Sequence, residues 1–263
     1  MSFSMPEASL DELLAAASRY GYDGIELRIA AKHGHGVGLD NTAGQRAAVR
    51  KAFQDSGIDV ACIATSCRFA DPATVDAECA AARDAIALAA DLGSHRLRVF
   101  GGALPDGVER EAAVRGVATA LASIADDAAA HDVRVCMETH DAWTSPAHVA
   151  EVMRTVGHPS IGVTWDVWHP ARVNGLSLDE AYDMVAPWIG HVHFHDGTLR
   201  SDTLDHRAMG TGALDHRRIL QLLEGGGYDG YLSGEWIGWE PGEVHLPREI
   251  DAMRGYEREL AIA

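Results

Sequence analysis

The sequence predicts a closed (β/α)8 barrel, the TIM-barrel architecture, as a single domain over residues 1–263. Three observations carry this. Short β-branched runs alternate with longer Ala- and Leu-rich stretches of helical period, and strict alternation implies a parallel sheet. Seven such runs, plus a short opening one, make eight β/α units in 263 residues, the length of a closed barrel. An open doubly wound sheet, the rival, carries a Gly-rich turn after its first strand, and none follows here.

In chain order, Ser2–Ser4 is the expected opening strand. Ser9 and Glu12 have capping-box spacing and start the first helix. The strands that follow are Gly24–Arg28, Ile58–Ala64, Leu97–Phe100, Val133–Glu138, Ile161–Asp166, His191–Phe194 and Tyr231–Glu235. Between the second and third, Val75, Cys79, Ala82, Ile86 and Ala89 recur at helical spacing, and Gly93 after Leu92 is a stop signal. Asp71-Pro72 and Ser145-Pro146 each place a cap before a proline at the first helical position. Ser177 and Glu180 form a second capping box, and a last helix is expected from Pro247. Gly21-Tyr22-Asp23-Gly24 recurs as Gly227-Tyr228-Asp229-Gly230, read as shared turn chemistry.

Apolar residues are 47% and charged residues 23% of the chain, a globular balance that excludes disorder. The net charge of −17 repels phosphate backbones and anionic lipid, so neither nucleic acid nor membrane is an expected partner. No apolar run reaches the roughly 18 residues of a spanning helix, and MSFSMPEASLDELL lacks signal-peptide character. The four cysteines, without CxxC spacing, read as core residues in a reducing cytoplasm.

The chemistry gathers at the ends of the last four strands. Side chains alternate along a strand, so Val133, Val135, Met137, Val163, Trp165, Val192 and Phe194 should face the helices. Cys136, Glu138, Gly162, Thr164, Asp166, His191, His193, Ser233 and Glu235 should face the barrel axis. Glu138, Asp166, His193 and Glu235 then meet at the C-terminal mouth. Carboxylates converging there repel one another unless a cation joins them. An oxygen-rich set with one His suits one divalent ion, Mn²⁺, Mg²⁺, Co²⁺ or Zn²⁺.

The chain also resembles the xylose isomerase-like barrels, a superfamily of sugar isomerases and epimerases that includes ketose 3-epimerases, hydroxypyruvate isomerase, inosose dehydratase and an apurinic endonuclease. GYDGIELR at 21–28, LRVFGG at 97–102, VCMETH at 135–140, WDVWHP at 165–170, HVHFHD at 191–196, HRAMGTGALD at 206–215 and YDGYLSGEW at 228–236 carry the resemblance. It implies Glu138, Asp166, His193 and Glu235 as the metal ligands. His193 is preferred to His191 because the family's ligand stands three residues before an Asp, here Asp196. It further implies His169, His206 and Glu26 as substrate-binding residues. Arg98 and Arg68 are candidates for an anionic or hydroxyl-rich substrate, and Trp143, Trp168, Trp236 and Trp239 for stacking on a sugar ring. His33-Gly34-His35-Gly36 reads as a mobile solvated loop.

One departure matters. The endonuclease branch places extra His ligands after strands three and four, where this chain has Ala64-Thr65-Ser66 and Val99-Phe100-Gly101-Gly102. That argues against a trinuclear cluster and DNA cleavage. The resemblance therefore implies a divalent-metal-dependent isomerase or epimerase of carbohydrate metabolism. Its small-molecule sugar would react through an enediolate, with Glu138 and Glu235 as acid and base. A dehydratase of a keto-cyclitol or 3-keto sugar is the alternative, and a non-catalytic sugar-binding barrel a remoter one. Gly210-Thr211-Gly212 is too short for a phosphate loop, which favours a free sugar. The apolar end Leu260-Ala261-Ile262-Ala263 suits docking on its own barrel or on the second copy of a homodimer.

Overall fold

Local chemistry sets the helix ends. In the computed structural model, which describes residues 1–200 and 202–261, Ser9 Oγ accepts from the Glu12 amide at 3.3 Å while Glu12 accepts from the Ser9 amide at 2.8 Å. This capping box opens α1 (Leu10–Tyr20). Gly21 closes α1 with φ of 81°, and its echo Gly227 follows the helix over His216–Gly225 with φ of 72°, so the repeat is one turn chemistry used twice. Then come β1 (Gly24–Arg28), α2 (Ala43–Ser56), β2 (Asp59–Arg68), α3 (Val75–Leu92), β3 (Arg96–Phe100), α4 (Arg110–Ala130) and β4 (Arg134–Glu138). The second half continues with α5 (Pro146–Val156), β5 (Ile161–Asp166), α6 (His169–Asn174), α7 (Leu178–Val185), β6 (Ile189–His193), β7 (Asp196–Gly197), β8 (His206–Arg207), α8 (His216–Gly225), β9 (Leu232–Ser233) and α9 (Gly242–Leu260).

Seven strands form one all-parallel sheet in the order β1-β2-β3-β4-β5-β6-β9, and β7 pairs antiparallel with β8 in a small hairpin. The nearly closed α/β barrel is the predicted fold with one strand fewer. Ser2–Ser4 is a single 3₁₀ turn, not a strand. It joins the barrel through groups other than a ladder: Arg28 N donates to Ser2 Oγ at 2.9 Å, and the Met1 amine donates to Gly234 O at 3.1 Å. A cavity of about 470 Å³ lies along this seam, lined by Met1, Tyr22, Gly24, Glu26, Phe194 and Ser233 among others.

Leu27, Ile63, Leu97, Val99, Val135, Met137, Val163, Trp165 and Val192 are fully buried. Burying each such side chain stabilises by about 1.5–3 kcal/mol. Two helix starts differ from expectation. Asp71 caps a turn instead, taking the Ala73 amide at 2.9 Å, and α3 begins at Val75. Pro241 O takes the amides of Val244 and His245, so α9 begins at Gly242 with Pro247 inside it. Leu260 packs on the core of its own barrel, whereas Ile262 and Ala263 lie outside the described residues. Among the described residues no helix is long and apolar enough to cross a membrane.

Candidate metal centre and active site

Parallel pairing sets the mouth. Glu138 pairs with Thr164, Asp166 with His193 and His193 with Ser233, so β4, β5, β6 and β9 end side by side. Glu138, Asp166, His193 and Glu235, all buried, each offer a ligand atom within 4.8 Å of the others. His193 Nδ1 stands 2.9 Å from Glu138 Oε1 and 3.3 Å from Glu235 Oε2, so two carboxylates converge on one ring nitrogen. Asp166 Oδ1 accepts the amides of Trp168 and His169 at 2.8 and 2.7 Å. That leaves Oδ2 for the centre.

The donor set fits a divalent cation. Asp166 Oδ2 and Glu138 Oε2 are buried without a hydrogen-bond partner. His195 Nε2 lies 3.0 Å from the first and Arg98 Nε 3.3 Å from the second, close enough for charge but without hydrogen-bond geometry. Burial opposes the ionised form of Asp166, yet His169 and His195 hold its carboxyl well below the usual range. Burial likewise opposes a charged His193, but Glu138, Glu26 and Glu235 push that ring well above its ordinary pKa. A centre that binds a proton this strongly suits a metal ion.

Glu26 sits against His193, one of the four residues of the acidic group. Its side chain is fully buried beside His193, and its oxygens are taken by His191 Nε2 at 2.8 Å and His193 Nε2 at 3.2 Å. Burial works against its charge, but His193 and His191 keep the carboxyl well below its normal range. His191 is thus a brace for Glu26. A second group within ligand range, Glu26 with His191 and His193, shares this brace.

Around the mouth runs a belt of rings and cations. Phe100 meets His140 at 5.0 Å between centroids, His140 meets His169 at 4.7 Å, and Trp168 stacks on His169 at 6.2 Å. His206 lies 5.2 Å from Trp168 and 6.0 Å from Trp239. His206 is 7% exposed, yet neither ring nitrogen has a hydrogen-bond partner. It is held by the hairpin above Asp196, whose carboxylate accepts the amides of Gly197, Gly210, Gly212 and Leu214 at 2.8–3.3 Å. Trp143 and Trp236 are buried in the core, the former donating to Gly102 O at 2.9 Å.

His33-Gly34-His35-Gly36 is pinned, not a mobile loop. Gly34 N donates to Pro6 O at 2.7 Å, and His35, 7% exposed, accepts the Val37 amide at 3.0 Å. A Cβ on Gly34 would fall 2.2 Å from Glu7 O, so only glycine fits this approach. The four cysteines are free and buried, and burial raises the Cys136 thiol to about 11.

Sequence reasoning missed three residues at the site. His195 continues the alternation of His191 and His193, and His140 that of Glu138; the strand period carried both signals. Although burial pulls His140 down, its hydrogen bond to Asp141 and the field of Glu138 raise it to about 9. Arg28 follows Glu26 on the same face of β1.

The chain matches the family described as xylose isomerase-like TIM barrel over residues 14–256. Among solved structures it is similar to a probable 3-DHS dehydratase of petrobactin synthesis from Bacillus anthracis, with 18% identity, 96% of each chain covered and a TM-score of 0.80. A xylose isomerase domain protein from Planctomyces limnophilus matches with 19% identity, 98% of each chain and a TM-score of 0.80. An L-ribulose 3-epimerase matches with 20% identity, 100% of this chain, 96% of the other and a TM-score of 0.79. These likenesses show the fold. An uncharacterized protein of Methanocaldococcus jannaschii is 28% identical over 92 residues, which is 35% of this chain and 31% of that protein.

Proposed function

Because the chain belongs to the xylose isomerase-like TIM-barrel family, we propose that it is a divalent-metal-dependent enzyme acting on a polyhydroxylated carbonyl compound by proton transfer next to the carbonyl. One observation carries the reading: three carboxylates and one imidazole from four adjacent strand ends meet within 4.8 Å at the C-terminal mouth, where such barrels place their chemistry. Glu138, Asp166, His193 and Glu235 would hold the ion. When bound, it supplies Lewis-acid stabilisation of negative charge developing on the substrate oxygen.

The protein's own groups supply the rest. Glu138 takes the proton from the carbon beside the carbonyl, and the C–H electron pair passes into the enediolate. Glu235, which follows β9 and so comes from the flank of β6 opposite to β4, returns a proton. Return to the same carbon from the opposite face gives epimerisation; return to the neighbouring carbon gives isomerisation. Glu26 accepts from His193 Nε2, which leaves Nδ1 for the metal. His169 and His206 contact the substrate.

An isomerase or epimerase is the first reading, supported by the ketose epimerases that share the fold. A dehydratase is the second. It is supported by the similarity to the 3-DHS dehydratase and by His140, raised to about 9 and so able to protonate a departing hydroxyl. Four unpaired cysteines agree with a cytoplasmic setting.

Elemental mass spectrometry of the purified protein tests the centre. We expect about one divalent ion per chain, lost in the Glu138→Ala, Asp166→Ala double variant. No ion in wild type after incubation with Mn²⁺, Co²⁺ or Zn²⁺ would overturn the reading. Incubation with keto sugars in D₂O tests the chemistry: deuterium enters the substrate carbon in epimerisation, and an ultraviolet-absorbing enone appears in dehydration.

A further inference from the structure

Opposite the acid-rich strands, the mouth is cationic. Arg28 ends β1, Arg68 ends β2, and Arg98 sits in β3. Arg28 and Arg98 are both ladder partners of Ala64, one on each side, so their side chains leave the sheet on the same face with only a methyl group between them. Their guanidiniums close over one stretch of β2. Arg28 Nη1 donates to Ala64 O at 3.1 Å and Nη2 to Ser66 Oγ, while Arg98 Nη1 donates to Thr65 O at 2.8 Å. Arg68 and Arg98 both lie over the Phe100 ring, at 5.9 and 4.0 Å from its centroid.

This cluster is only partly neutralised: Glu138 faces Arg98, and the fields of Glu235 and Glu138 reach Arg28. Arg98 reaches Glu138 Oε2 at 3.3 Å, but without hydrogen-bond geometry its Nε is a buried donor with no acceptor. Neither Arg28 nor Arg68 makes an ion pair among the described residues, in a chain with 39 acidic and 22 basic residues. Arg28 is only 8% exposed, and burial and the nearby Arg98 lower its pKa to about 10, so it stays cationic at neutral pH. Gathering like charges in a partly buried mouth costs free energy that an anion would offset.

We propose that Arg28, Arg68 and Arg98 form a subsite for an oxyanion carried by the substrate, a carboxylate or a phosphate ester. The proposal rests on the metal-centre reading only in making the bound molecule the substrate. The anionic group binds over β1–β3 while the hydroxy-carbonyl end faces Glu138, Asp166, His193 and Glu235. Guanidinium forks match both oxyanions through paired N–H donors. The substrate is then a sugar acid or sugar phosphate, in contrast to the neutral sugar that the absence of a Gly-rich phosphate loop favours.

Calorimetry of the Mn²⁺-loaded protein with D-glucose, D-glucuronate and D-glucose 6-phosphate separates the cases at low ionic strength. We expect one or both anions to bind at least about tenfold more tightly than glucose, the tighter naming carboxylate or phosphate. Arg28→Gln with Arg68→Gln should bring that anion to the affinity of glucose, while Mn²⁺ affinity stays within about threefold. Arg68→Gln alone, at an exposed position, should give part of the loss if the double variant is unstable. The idea fails if neither anion outbinds glucose, if neither binds below about 50 mM, or if the preference survives the substitutions. Anion preference without Mn²⁺ binding would sink the metal reading and keep the subsite. Mn²⁺ binding without anion preference would sink the subsite alone.

Discussion

The Glu26 carboxylate lies 3.2 Å from Nε2 of His193, across the ring from Glu138, which lies 2.9 Å from Nδ1. One strand-one residue thus decides which nitrogen of a strand-six residue faces the acidic cluster. With Nε2–H donated to Glu26, Nδ1 keeps its lone pair for a cation.

Glu26→Gln should lower Mn²⁺ affinity by about 10–100-fold, the range for an outer partner of a ligating histidine. Glu26→Asp should recover part of the loss. The Nε2–H resonance of His193 in the metal-loaded protein gives the readout that simple unfolding would not. Unchanged affinity in Glu26→Gln, with that resonance in place, would show that His193 needs no orienting partner.

Asp196 should matter for stability more than for metal binding. Its buried carboxylate takes four backbone amides, three of which close the turn through residues 210–214. Asp196→Ala orphans those donors at a cost of roughly 2–5 kcal/mol. Gly212→Ala should act on the same anchor, because its Cβ would fall 2.1 Å from Asp196 Oδ1. Urea unfolding checks both; a loss under about 0.5 kcal/mol in either would show that the turn closes without the carboxylate.

The acidic half of the mouth was legible because one rule, alternation along a strand, was enough to place Glu138, Asp166, His193 and Glu235 together. The same rule ran one step short at Phe194 and so missed His195. The pattern of β1 places Glu26 on its strand but does not show its bond to His193. That bond depends on β1 meeting β6 inside the barrel, a long-range relation that one strand's pattern does not contain. The Ser2–Ser4 turn shows the same limit. Three residues suit a strand, but Ser2 bonds to Arg28 through its hydroxyl, not its backbone. His33–Gly36 reads as loop composition, yet Gly34 is seated on Pro6 by a contact that composition does not show.

His35 gives a pH dependence with a definite sign. Burial first, and His33 second, lower its folded pKa to about 4, while an unfolded His titrates near 6.5. As pH falls below 6.5 the unfolded chain gains a proton that the folded ring refuses. Stability is therefore complete above about pH 6.5 and is lost progressively down to about pH 4, by about 1–3 kcal/mol for this residue. His206, also lowered to about 4, adds a loss in the same window, so the comparison must be with a His35→Gln variant. Its stability curve should fall less steeply between those pH values. Parallel curves would show that His35 takes its proton without cost in the fold.

His206 separates substrate contact from metal binding. Its ring is 7% exposed, both nitrogens lack partners, and burial and His195 lower its pKa to about 4, so it is neutral at pH 7. A neutral imidazole offers a ligand hydroxyl one donor and one acceptor. His206→Ala should therefore leave Mn²⁺ affinity within about threefold while lowering kcat/KM by about tenfold, the value of one or two hydrogen bonds. A ground-state contact would show the loss mainly in KM, whereas a contact made only in the transition state would show it in kcat. Loss of the metal in this variant would instead make His206 part of the centre. A kcat/KM within twofold of wild type would leave its two unpaired nitrogens without a part in the reaction.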